Sequence, residues 1–157
     1  GHGDWVRPGL MLYGVSPMAN HTGKDHQLKP VMRLTTKVIA VRNVGAHEQV
    51  GYGGRWQSDK PTMLAVVALG YGDGYPRHAK EGTPVIINGH RYGIVGSVAM
   101  DMITLDIGNN EHNVQVGDEV IMWGPELPVE EIAQCADTIS YELLCNITPR
   151  VSYEYQR

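Results

Sequence analysis

Tyr52, Tyr71, Tyr75, Tyr141 and Met100 stand in segments that read as built for chemistry rather than for packing. The segments are Val50-Gly51-Tyr52-Gly53-Gly54-Arg55-Trp56, Gly70-Tyr71-Gly72-Asp73-Gly74-Tyr75-Pro76-Arg77, Val98-Ala99-Met100-Asp101-Met102 and Ile139-Ser140-Tyr141-Glu142. A tyrosine flanked by glycines is held on tight backbone with its ring unshielded, which suits a phenol that must reach into a site. A phenol is a poor base at neutral pH unless a nearby cation lowers its pKa, and Arg55 is close enough to Tyr52 in sequence to serve. Each segment also has a plain reading: Gly72-Asp73-Gly74 and Arg7-Pro8-Gly9 as turns, Tyr141 at helical spacing as a core ring, Met100 as strand packing. Several such segments in one chain of 157 residues argue for a site.

Short strands must position them. Met32, Leu34, Val38 and Ala40 share one side of Val31 to Val44, with Arg33, Thr35 and Lys37 on the other, as a half-buried strand requires. Thr62 to Leu69, bounded by Pro61 and Gly70, is apolar enough for a strand buried on both faces, and it feeds straight into the Gly70 to Arg77 loop. Asn88-Gly89 between apolar runs predicts a hairpin, because both turn residues tolerate positive φ. Ile94 to Val98, Met100 to Ile107 and Val116 to Gly124 continue as strands. Pro128 suits a first helical position, with Glu130 and Glu131 in a first turn that favours acid and Ile132, Ala133 and Ala136 as the apolar stripe. A second helix, capped by Thr138 or Ser140, runs to about Asn146, and Arg150 to Tyr155 alternates as a closing strand. The sum is a mainly β, barrel-like domain with two short helices near the C-terminus.

Composition excludes several classes. A formal charge of −4, from 17 acidic and 13 basic residues, supplies no basic stripe for nucleic acid. The longest apolar run, Met63 to Leu69, falls far short of the roughly 20 residues of a membrane-spanning helix. Cys135 and Cys145, the only cysteines, lack ligand spacing and read as buried free thiols of a reducing cytoplasm. The seven histidines are scattered, and no metal site is expected. The first residues carry no signal-peptide pattern and do not look like the start of a natural domain.

Arg7-Pro8-Gly9-Leu10, Val50 to Trp56, Gly70 to Arg77, Gly96 to Met102 and Ser140-Tyr141-Glu142-Leu143 together resemble, in wording, order and spacing, the carboxy-terminal half of the alanine racemase family. That family uses pyridoxal 5′-phosphate and joins an amino-terminal (β/α)8 barrel to a β-rich domain. The resemblance implies a remnant of that barrel and a linker over residues 1–29, and the β-rich domain over 30–157. It implies that Tyr52 is the base that works on one substrate face while a barrel lysine of the partner subunit works on the other, an arrangement that inverts the α-carbon. It implies that Arg7 faces the pyridine nitrogen, that the Gly9 and Leu10 amides and the Tyr141 hydroxyl meet the cofactor phosphate, and that the Met100 amide contacts the substrate carboxylate. Tyr71 and Arg77 match the tyrosine that narrows the site and a basic residue of its entry channel, and Asp101 lies beside them.

By the same resemblance the partners are alanine and a second subunit, in a homodimer with shared active sites, and the D-alanine formed would serve peptidoglycan synthesis. No lysine here sits in a context like that of the cofactor-binding one, so the isolated chain is expected to be inactive. A broad-specificity racemase, a decarboxylase of the same fold and a non-catalytic dimerisation module remain as alternatives. The Val-Gly-Tyr-Gly-Gly and Ala-Met-Asp-Met wording disfavours the decarboxylase.

Overall fold

The computed structural model describes residues 3–51 and 56–156. Its strands are β1 (Leu34–Val44), β2 (Gln49–Val50), β3 (Trp56–Gln57), β4 (Thr62–Val67), β5 (Pro84–Ile87), β6 (His90–Val95), β7 (Ile103–Gly108) and β8 (Glu119–Trp123). Two helices follow, α1 (Val129–Cys135) and α2 (Ser140–Cys145). Six strands close an antiparallel barrel in the order β1-β4-β7-β6-β5-β8, with β8 pairing back on β1, while β2 and β3 form a separate ribbon. Closure leaves the barrel itself no free sheet edge to pair with another chain. Among the described residues, no helix is long and apolar enough to cross a membrane.

β4 shows why the sequence reads as it does. Ala65 and Val67 point into the main core with Ile103, Leu105 and Val120, while Leu64 points the other way, into a smaller cluster of Val44, Val50 and Val95 covered by Trp56. Successive side chains of a strand face opposite ways, so a strand with core on both sides must be apolar throughout. The hairpin also forms as expected: Asn88 and Gly89 both have positive φ, and Ile87 pairs with His90 across the turn. Ile132, Ala133 and Leu143 bring α1 and α2 onto the same core as the barrel strands.

Several expectations need correcting. The alternation of β1 does not survive to its end, because a register shift between Val38 and Ala40 leaves Ala40 on the surface and turns Val41 partly inward. β6 stops at Val95 and β7 starts at Ile103, so Met100 lies on a loop and not on a strand. Residues 151–156 form no strand; the barrel is already closed and offers them no edge. α2 starts at Ser140, and neither Thr138 nor Ser140 caps it, the Thr138 hydroxyl donating to the Glu142 carboxylate instead. Cys135 is half-buried and Cys145, at the end of α2, is exposed, so neither is the buried thiol expected.

Candidate functional site

The first cluster joins the two ends of the chain. Pro8 leads into a 3-10 turn, Gly9–Tyr13, in which Gly9 takes a left-handed φ of +57°. A Cβ at Gly9 would sit 3.0 Å from the Tyr141 hydroxyl oxygen, so glycine meets both a steric and a backbone requirement here. The Leu10 side chain is buried and anchors the turn, while its N–H donates to Tyr141 Oη at 3.3 Å, across 131 residues of sequence. Tyr141 lies in the first turn of α2 and is 45% exposed, which rules out the core-ring reading. Because its oxygen accepts from Leu10, its own O–H remains to donate outward. Arg7 is exposed two residues before the glycine.

The second cluster is the Gly70–Arg77 loop against the Met100 loop. Tyr71 N–H donates to Ala99 O at 3.0 Å and Gly72 N–H to Met100 O at 2.8 Å, so the two loops lie backbone against backbone. A Cβ on Gly70 would come within 2.3 Å of Ala99 O, which is why that position tolerates nothing larger. The pairing leaves the side chains outside: Tyr71 is 42% exposed with the Arg77 guanidinium 5.9 Å above its ring, and Met100 is 54% exposed. The Met100 N–H donates to no acceptor among the described residues. Asp101 is exposed beside it. Tyr71, Arg77, Met100 and Asp101 thus lie on two loops held against each other. α2 links the clusters, carrying Tyr141 to the first and Glu142 and Leu143, with Asn146 at its C-terminal end, to a cleft of about 220 Å³ beside Tyr71 and Arg77.

Tyr75 does not belong with them. It is 1% exposed, stacks on Trp123 with centroids 6.0 Å apart, and its hydroxyl finds no partner. Tyr52 lies outside the described residues; Val50 and Trp56 on either side of its segment pair across β2 and β3.

Three supports of the site escaped sequence reasoning. Asp73 is buried, accepts the Gly70 N–H at 2.9 Å and pairs with Arg150 Nε at 3.0 Å. Thr148 donates its hydroxyl to Gly72 O at 2.9 Å and its N–H to Asp73 O at 3.1 Å, so the segment after α2 fastens the Tyr71 loop. Glu130 accepts two main-chain amides, from Ser16 at 3.1 Å and Gly23 at 2.7 Å. Long-range acceptors of this kind leave no local pattern, since Asp73 reads as a turn residue and Glu130 as a surface acid of a first helical turn.

Fold and face together define a β-barrel domain that presents donors suited to an anion, with aromatic and cationic side chains alongside. Residues 31–155 match the family described as alanine racemase, C-terminal domain. An alanine racemase of Shewanella amazonensis is 55% identical over 149 residues, covering 95% of this chain and 41% of the relative. One of Yersinia pestis (bv. Antiqua, strain Angola) is 55% identical over 154 residues, covering 98% and 43%. The crystal structure of the biosynthetic alanine racemase from Pseudomonas aeruginosa superimposes with a TM-score of 0.94 at 43% identity, covering 98% of this chain and 43% of that one. The alanine racemase of Bartonella henselae, solved with covalently bound pyridoxal phosphate, gives 0.83 at 36% identity, covering 92% and 39%. The chain belongs to the alanine racemase C-terminal domain family, and it spans about two fifths of the length of the relatives it matches.

Proposed function

We propose that this chain supplies the C-terminal half of a pyridoxal phosphate-dependent alanine racemase that interconverts L- and D-alanine. Residues 1–29 would then be the end of the cofactor-binding barrel with its linker, a division that the family match opening at residue 31 supports. The observation that carries the reading is the Gly9–Leu10 turn held on Tyr141. The fit to a phosphate is chemical: a glycine where a side chain would block approach, its own main-chain N–H, which has no acceptor among the described residues, and a phenol whose O–H is left to donate because its oxygen already accepts from Leu10. Gly9, Leu10 and Tyr141 would hold the phosphate, and the Arg7 guanidinium would face the ring nitrogen and favour its unprotonated form. When bound, the cofactor supplies the electron sink that makes the alanine α-proton removable.

The remaining roles fall to side chains of this chain. Tyr52 takes or returns the α-proton on one face, opposite a lysine of the barrel. The free Met100 N–H binds the substrate carboxylate, a role of the main chain to which its thioether is incidental. Tyr71 and Arg77 narrow the entrance, and Asp101 lies beside them. Tyr71, Met100, Met102 and Tyr141 are exposed large side chains in these same segments, and we assign them to the face that a second subunit's barrel closes in a homodimer with shared sites. Two free thiols suit a cytoplasmic enzyme.

Racemisation of L-alanine followed by circular dichroism tests this. The full-length parent with pyridoxal phosphate is expected to turn over and the isolated chain is not; no racemisation by the parent would refute the reading.

A further inference from the structure

We propose that Glu130 is a positioning residue for the anion cradle of Gly9, Leu10 and Tyr141, an inference that rests on the racemase reading only for the identity of the anion. Glu130 is 8% exposed, and no lysine, arginine or histidine among the described residues pairs with it. A buried carboxylate is costly unless hydrogen bonds satisfy it, and here one oxygen, Oε1, accepts both the Ser16 and the Gly23 amides. The adjacent Glu131 shows the contrast, since it makes an ordinary ion pair with Arg91 at 2.6 Å at the surface.

The two donors lie in the segment that follows the cradle turn, and the contacts run back to it without a break. Val15, next to Ser16, donates its N–H to Leu10 O at 3.4 Å. A Cβ on Gly23 would fall 1.9 Å from Gly14 O, so Gly23 is packed directly on the residue that caps the turn. On the other side, Thr138 donates its N–H to Ala133 O and joins α1, which carries Glu130, to α2, which carries Tyr141. Leu10, Ser16, Glu130 and Tyr141 all line one cleft of about 360 Å³. Glu130 therefore fixes the distance between the two halves of the cradle: it holds Ser16 and Gly23, these hold Gly14 and Val15, and Leu10 is kept on Tyr141.

Amide hydrogen exchange on this chain without cofactor tests the proposal. In the unaltered chain, Leu10, Ser16 and Gly23 are expected to open together, with one opening free energy and one denaturant dependence. Glu130→Ala should speed exchange at all three by at least about tenfold, the worth of one charge-assisted hydrogen bond, and speed the barrel amides of Ala65 and Leu105 by no more than the loss of global stability seen in denaturant unfolding. Glu130→Gln keeps an acceptor oxygen and should restore Leu10 protection to within about threefold, well under one hydrogen bond's worth. Leu10 opening independently of Ser16 and Gly23, or keeping its protection in Glu130→Ala, would overturn the proposal. If Glu130→Ala does not fold, the unaltered chain and Glu130→Gln decide it. Failure here leaves the racemase reading standing, because that reading is tested by turnover.

Discussion

Tyr71 and Tyr75 lie four residues apart on one loop and meet opposite physics. Tyr75 is sealed against Trp123 in a core whose neighbours are Ile, Leu and Val, and both rings carry a polar atom there without a partner. Tyr71 sits outside, under Arg77 and beside Met100, where the backbone amides of Tyr71 and Gly72 are bonded and the Tyr71 ring is exposed. The interior is closed by packing and tolerates unpaired polar atoms. The face is held by hydrogen bonds from far along the chain and leaves its large side chains uncovered. Stability should therefore reside in the first region and ligand geometry in the second.

Substitutions that separate the two regions can break this account. Leu105→Ala, at a fully buried barrel position, should cost about 2–5 kcal/mol in denaturant unfolding. It should leave the local opening free energy of the Leu10 amide unchanged. Gly74→Ala should cost about 2–3 kcal/mol, because its φ is +101° and the new Cβ would meet Asn146 O at 2.1 Å. It strains the Tyr71 loop from beneath, and the loss of Thr148 and Gly70 amide protection would register it.

The same chemical change should have opposite signs in the two regions. Tyr141→Phe removes the acceptor of the Leu10 amide and should lower stability by about 0.5–1.5 kcal/mol. Tyr75→Phe deletes a buried hydroxyl that has no partner and should be neutral or stabilising by up to about 1 kcal/mol. Equal destabilisation by both would contradict the division. Alkaline unfolding sharpens it. Burial first, and the nearby Cys135 second, raise the Tyr75 phenol above its ordinary value of 10.0, so the unfolded chain loses that proton more readily than the folded one. Its contribution is intact below pH 10 and falls as pH rises above it, and Tyr75→Phe should flatten that limb of the stability curve.

How far the sequence could be read follows from the same division. β4, the Asn88-Gly89 hairpin and α1 were legible because local periodicity and turn chemistry match what the tertiary structure demands. The candidate site segments were singled out by their resemblance to a family, and the close approaches that fix glycine at positions 9 and 70 emerge only from the structure. The shift in β1 after Val38 was not, since a bulge is set by the pairing partner. Tyr75 was misread because a ring at the base of a loop can turn inward without any change in its neighbours. Glu130 and the Asp73–Arg150 pair act across 107 and 77 residues, beyond any pattern a window can hold.

The proposed role most open to test is that of Tyr52 as the base on one substrate face in the full-length enzyme. Solvent deuterium incorporation into L- and D-alanine by the full-length parent, unaltered and Tyr52→Phe, tests it most directly. Loss of exchange from the L side, with pyridoxal phosphate still bound, is the predicted result. Unchanged turnover and exchange would make the Tyr52 phenol structural and contradict the account.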